Sequence, residues 1–229
     1  MKIAIMQPYL FSYIGYFQLV QSVDTFILYD DVNYINKGYI NRNSILINGQ
    51  ANRFTLEVIG ASQNKLINEI EVGTNKTKIL KSIEMGYKKA PNFKPIFSLC
   101  EKILLNPEKN LAKFVGYSIQ SIADYLECNA KFIYSSDIEK NNTLKAQDKI
   151  LDICRCLSAQ TYINAINGQT LYDKNIFREK NMQLFFLKPT IHEYRQFNVP
   201  FVPSLSIIDV LMFNSKENVF RMLSQYELI

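Results

Sequence analysis

No stretch of this chain is long and uncharged enough to cross a bilayer; the longest apolar pieces, such as FFLKP and KFIYS, break off well short of that length, which excludes a transmembrane helix. Cysteine is scarce and scattered, at positions 100, 128, 154 and 156, and there is a single histidine, His192. The only close cysteine pair is Cys-Arg-Cys, far from that histidine, so metal-ligand spacing is absent and reduced, buried thiols are expected. Internal repeats, low-complexity tracts and flexible linkers are also missing, and one α/β domain spanning residues 1–229 is the expectation. The opening IAIMQP is too short for the apolar region of a signal peptide and lacks a small-residue cleavage site, which points to the cytoplasm. Positive charge is not gathered into a block. The net charge of +5 is modest and the lysines are spread through KTKILKS, YKKAPNFK and EKILLNPEKN. That argues against nucleic acid as the main partner and suits a phosphorylated or nucleotide-activated small substrate.

What is present is an alternation of strand and helix signals. Lys2 to Met6 reads as a buried strand closed by Pro8, because proline cannot donate to a central ladder. Ile14 to Gln21 carries apolar residues at helical spacing, and Thr25 to Tyr29 is a second strand-forming run. Strand, helix, strand is the unit that builds a parallel sheet through a right-handed crossover. Asn48-Gly49 between apolar runs predicts a hairpin. Residues 64–73 look strand-like. Helical spacing over Thr77–Tyr87, Ile96–Leu105 and Asn110–Leu126 predicts a helical insertion at about 77–127. KFIYSSDI, QTYINA and QLFFLKP read as further strands, with a helix over Leu144–Leu157 and a turn at Asn167-Gly168. Ser204 and Ser206 supply cap chemistry for a helix over Ile207–Phe213, followed by another from Glu217. The fold class is therefore α/β: a Rossmann-like parallel sheet with flanking helices, a hairpin and a helical insertion.

In such a sheet the ligand site lies beyond the carboxyl ends of the strands. Gln7, Pro8 and Tyr9 leave the first strand and Asp30 and Asp31 leave the second, so both clusters are expected to face one crevice. Paired carboxylates there could bind a metal, accept from sugar hydroxyls, or act as a general base; equally, they could simply begin a loop. Lys37, Asn41, Arg42 and Asn43 suit anion recognition, although an exposed hairpin would tolerate them as well. A lone histidine such as His192 is more often structural than catalytic. Asp209, in the apolar SIIDVL, is either a first-turn charge favoured by the helix dipole or a site residue.

The strings MQPYLFSYIGYFQLVQSVDTFILYDDVNY with the following NRN, then YINAINGQTLY, and finally LSIIDVLMFN, resemble the WbqC-like family of bacterial proteins encoded in O-antigen and other surface-polysaccharide clusters. The resemblance runs over nearly the whole chain. It implies a place in surface-glycan assembly, with transfer of glycine or a related acyl group to an amino sugar. Gln7, Tyr9, Tyr13, Gly15, Tyr16, Asp30, Asp31, Tyr34, Asn41, Arg42 and Asn43 match motif positions, as do Gly168, Gln196, Ser206 and Asp209. Ser12 and Arg195 stand where the family usually has proline.

The first turn also looks like that of HIGH-type nucleotidyltransferases, implying a nucleotidyltransferase-like core. Tyr13 and Tyr16 replace their two histidines, and tyrosine cannot supply a cation to a phosphate. On the leading reading, an Asp of the 30–31 pair takes the proton from a sugar amine. Lys37 and Arg42 hold phosphate or the donor carboxylate, while Gln7 and Asn43 orient hydroxyl or carbonyl groups. The substrate expected is a nucleotide-linked amino sugar. ATP, an activated acyl donor or an aminoacyl-tRNA are the open choices of donor, with no metal assigned and a homo-oligomer left open. Alternatives are an ATP-using ligase of small acids and a non-catalytic sugar-nucleotide binder.

Overall fold

The computed structural model describes residues 1–229. Its centre is a six-stranded sheet of β1 (Lys2–Met6), β2 (Thr25–Leu28), β7 (Lys131–Tyr134), β8 (Thr161–Ala165), β9 (Gln183–Pro189) and β10 (Tyr226–Leu228). The spatial order is β10-β9-β8-β1-β2-β7. Every pair is parallel except β9 with β10 at one edge. From β1 the chain winds outward through β2 to β7, then returns to the other side of β1 for β8 and β9. This is the doubly wound, Rossmann-like arrangement, and it places the switch in winding direction between β1 and β8.

Period-two alternation explains how the sheet is covered on both faces. On one face Ala4, Phe26, Leu28, Ile163 and Leu187 join a core of 46 buried residues. That core is closed by α1 (Ile14–Gln21), α4 (Leu111–Tyr125), α7 (Ile207–Phe213) and α8 (Lys216–Leu223). On the other face Ile3, Ile5, Ile27, Tyr162 and Phe186 pack with residues of α5 (Ala146–Cys156) and α6 (Lys174–Glu179).

The β2-to-β7 crossover carries the hairpin and the helical insertion: β3 (Arg42–Ile47), β4 (Gln50–Thr55), the short β5 (Val58–Ile59) and β6 (Glu71–Val72), α2 (Lys76–Tyr87), α3 (Phe93–Leu104), and α4 itself. The hairpin turns where expected, with Ile47 opposite Gln50 and positive φ at both Asn48 (52°) and Gly49 (75°), the conformation an Asn-Gly turn provides.

Two local expectations give way. Residues 64–73 form a helical turn at Ile67–Glu69 and a two-residue strand, because Ile67 and Ile70, three apart, are both fully buried. Asn167-Gly168 lies within a 3-10 helix, Ile166–Leu171, rather than in a simple turn. The terminal β10 and the short α6 had no clear pattern, since YEL is polar and edge-exposed and KNIFRE buries only Phe177.

Candidate functional site

The turn leaving β1 is built rather than loose. Phe11 is fully buried yet adopts φ of 46°, a conformation that a bulky residue holds only when its surroundings impose it. The constraint is visible. Asn43 Nδ2 donates to the Phe11 carbonyl at 2.6 Å, and Ser206 Oγ donates to the same carbonyl at 2.8 Å. Ser206 also accepts from Ile208 N as the cap of α7. Ser12 Oγ donates to the Tyr9 carbonyl, and Ile207 N to the Ser12 carbonyl. Segments far apart in sequence, around 9–13, 43 and 206, thus close on one turn. Gly15 has no side chain because the Tyr13 ring lies where a Cβ would be. Tyr16 is buried and spends its hydroxyl on the Gln7 carbonyl at 3.0 Å. Tyr13 alone of the pair reaches a cleft.

The carboxylates after β2 face β7. Asp30 is buried and accepts from Ser136 N (2.9 Å), Ser136 Oγ (2.7 Å) and Asn68 Nδ2 (3.2 Å), which ties the strand end to its neighbour and to the insertion. Asp31 Oδ2 pairs with Lys140 at 2.8 Å and Lys149 at 3.0 Å. Burial pushes the Asp31 carboxyl up, but hydrogen bonds from the two ammonium groups outweigh it and hold the group below its ordinary value. A carboxylate kept ionised in this way has little affinity for a substrate proton.

Beyond them, Tyr34 donates to Asn41 Oδ1 at 2.9 Å and Asn41 Nδ2 donates to the Leu56 carbonyl at 2.7 Å, so both are committed to the base of the hairpin. Lys37, Arg42 and Asn43 do come together, with Tyr39, Ser44 and Arg53, around a polar pocket. The Tyr39 ring lies 6.3 Å from that of Tyr9, which in turn reaches Gln7 Oε1 through its hydroxyl at 3.3 Å.

On the other side of β1, Gly168 packs against Asn164 at the end of β8: a Cβ at Gly168 would come within 2.6 Å of Asn164 Nδ2. After β9 the chain runs through Thr190, His192 and Tyr194 along an apolar cleft of about 430 Å³, counting its open mouth; Tyr13, Phe201, Leu205 and Val210 complete its walls. Gln18, fully buried in α1, ties the cleft walls together by donating from Nε2 to the carbonyls of Met222 (2.8 Å), Gln225 (2.9 Å) and, more weakly, Thr190 (3.4 Å).

Beneath the cleft Asp209 is completely buried without a cation. Tyr194 Oη and Gln196 Nε2 each donate to its Oδ1 at 2.6 Å, and Tyr87 Oη donates to Oδ2 at 2.7 Å. Burial raises the Asp209 carboxyl above the usual range despite these three hydrogen bonds. Tyr194 is raised as well, by burial and by the neighbouring carboxylate. Asp209 is thus a carboxylate with increased proton affinity, joined to the cleft through one hydroxyl. No three His, Cys, Asp or Glu side chains form a metal-binding group, and all four cysteines are free.

Arg53 and Tyr39 were not among the residues singled out by sequence, yet counting back from the Asn48-Gly49 turn sets Arg53 opposite Ser44, a signal that was available. Tyr87, Tyr194, Lys140 and Lys149 carry no such signal, since their partners lie 15 to 122 positions away.

A model of the WbqC-like protein family matches residues 7–220. The chain is similar to "Uncharacterized protein Rv1507c" of Mycobacterium tuberculosis, with 27% identity over 218 residues that cover 93% of each chain. No solved structure matches the chain.

Proposed function

The chain belongs to the WbqC-like protein family, and from that premise we propose that it is a cytoplasmic transferase of surface-polysaccharide precursor synthesis. It moves glycine or a related acyl group from an activated donor to the amine of a nucleotide-linked amino sugar. The observation that carries this reading is the Tyr194–Asp209 contact on the wall of a cleft at the carboxyl edge of the sheet. Amide formation from an amine needs a proton acceptor, and a buried carboxylate with raised proton affinity is a better acceptor than an ordinary one.

The amine nitrogen attacks the acyl carbonyl carbon, a C–N bond forms, and the bond from that carbon to the donor's leaving group breaks with its electron pair. The proton shed by nitrogen passes to the Tyr194 oxygen as the Tyr194 proton moves to Asp209. Gln7 and Tyr9, at the winding switch, orient the sugar hydroxyls. Asp30 and Asp31 hold the ends of β2 and β7 in place instead of exchanging protons with substrate. The donor is an acyl adenylate, a thioester or an aminoacyl ester.

The test is incubation with a panel of nucleotide-linked amino sugars, ATP and glycine, followed by mass spectrometry. A product heavier by one glycyl residue supports the reading, and an unchanged sugar across donors of all three classes refutes it. A second reading, an ATP-dependent activation of a small acid, is favoured by the strand order and by Gly15 in the first turn of α1, directly after the turn that leaves β1. It predicts acid-dependent pyrophosphate release, and a flat pyrophosphate trace would exclude it.

A further inference from the structure

The polar pocket beside the hairpin has three cations on its wall and no carboxylate. Lys37, Arg42 and Arg53 line it with Tyr39, Asn43 and Ser44, enclosing about 310 Å³ counting its mouth. None of the three cations takes part in an ion pair; the salt bridges of the protein involve Lys140, Lys149, Arg155, Lys188 and Lys216. Three unpaired positive charges around one concavity repel each other, and an anion between them removes that cost.

The geometry is fixed by the hairpin. Arg42 and Ser44 lie two apart on β3 and so share a face, and Arg53 on β4 is the cross-strand partner of Ser44. Arg42 Nε is committed to the Gly38 carbonyl at 3.1 Å, which leaves its two terminal nitrogens, the planar fork that matches phosphate oxygens, without a protein partner. Lys37 is held in the left-handed region at φ of 62° by a turn closed from Gly38 N to the Ile35 carbonyl. Next to the cations, Tyr39 is 63% exposed, an unusual outlay of aromatic surface, and its ring faces that of Tyr9 at 6.3 Å.

We propose that this pocket binds the diphosphate of a nucleoside-diphosphate-linked substrate, with Arg42, Arg53 and Lys37 on the phosphate oxygens and the Tyr39 ring against the base or sugar. The phosphates are thereby held on the hairpin and not at the start of α1, where Tyr16 is buried and already hydrogen-bonded. The proposal rests on the transfer reading only for the identity of the molecule that carries the phosphates; the anion site stands on the pocket itself.

Titration calorimetry at low and at raised salt, with inorganic pyrophosphate, UDP-N-acetylglucosamine and ATP as probes, tests it. Three proteins are compared: the unaltered chain, Arg53→Gln, and Lys188→Gln as a control cation on β9, outside the pocket. Arg53→Gln is expected to weaken pyrophosphate and the nucleotide sugar by about tenfold, the loss of one charge-assisted contact, while Lys188→Gln leaves both unchanged. Tighter binding of the nucleotide sugar than of ATP assigns the pocket to the acceptor, and the reverse order overturns that assignment in favour of a donor triphosphate. Equal weakening by the two substitutions, or pyrophosphate binding that ignores Arg53, overturns the site. A matching thermal midpoint for Arg53→Gln and the unaltered chain shows that folding is not the cause. Diphosphate binding without any acylated product would leave this site standing and refute the transferase reading. Acylation of a sugar without diphosphate binding would do the opposite.

Discussion

Asn43 donates to the carbonyl of Phe11 at 2.6 Å, and Phe11 is a buried aromatic residue at φ of 46°. The contact explains why an asparagine on the first residues of a hairpin matters to a turn more than thirty positions earlier. It holds the backbone where an L-residue would otherwise relax, and Ser206 adds a second donor to the same oxygen.

Replacing Asn43 by Ala is accordingly expected to lower stability by about 0.5–1.5 kcal/mol, the loss of one hydrogen bond, because Ser206 still pairs the Phe11 carbonyl, as read by urea unfolding. Ser206→Ala should cost about 1 kcal/mol through the lost cap of α7. Because the two side chains share one acceptor, only the double variant strands the Phe11 carbonyl, and it should lose more than the sum of the single losses.

Asp31→Asn leaves two ammonium groups around a neutral side chain, and should destabilise by about 3 kcal/mol, the low end for a broken buried pair because the carboxylate keeps some contact with water. The pH dependence follows from the lowered carboxyl. Its folded value lies below its unfolded one, so the stabilisation is complete above the unfolded value, near 4, and is lost as pH falls through the folded value. Acid unfolding of the unaltered chain and of Asp31→Asn, followed by circular dichroism, should therefore converge at low pH.

Much of this architecture could be read from the chain. Lys2–Met6 and Thr25–Leu28 announce themselves as parallel strands because both faces are buried, and Asn48-Gly49 fixes the hairpin register through its two positive φ angles. Asp30 and Asp31 were legible as residues at a strand end. What they touch was not, since Ser136, Lys140 and Lys149 reach them only because β2 pairs with β7 across a crossover of about a hundred residues. Asp209 was readable as a carboxylate in an apolar setting; its tyrosine partners come from α2 and from the segment after β9, and no local pattern links those segments.

Gly168→Ala would set a Cβ 2.6 Å from the Asn164 amide, which is itself buried at the end of β8. Overpacking of this kind costs about 1–3 kcal/mol. A lowered midpoint in thermal unfolding, with unchanged pyrophosphate binding at the hairpin, is the expected pair of results.

Asp209 should show the opposite pH behaviour to Asp31. Its folded value is raised, so protonation favours the folded state; that stabilisation is present below the unfolded value and is lost as pH rises through the folded one. Asp209→Asn removes the titration, and its stability curve should be flatter than that of the unaltered chain across that interval, as measured by urea midpoints at a series of pH values.

The decisive measurement is the rate at which glycyl-modified nucleotide-linked amino sugar forms, followed by mass spectrometry for the unaltered chain, Tyr194→Phe, Asp209→Asn and Asp31→Asn. Proton transfer through Tyr194 to Asp209 predicts losses of about a hundredfold or more for the first two substitutions, which are not additive when combined. It also predicts a rate within a few-fold of the unaltered chain for folded Asp31→Asn. Full activity in Tyr194→Phe and Asp209→Asn, with activity abolished in a folded Asp31→Asn, would contradict the account and return the chemistry to the end of β2.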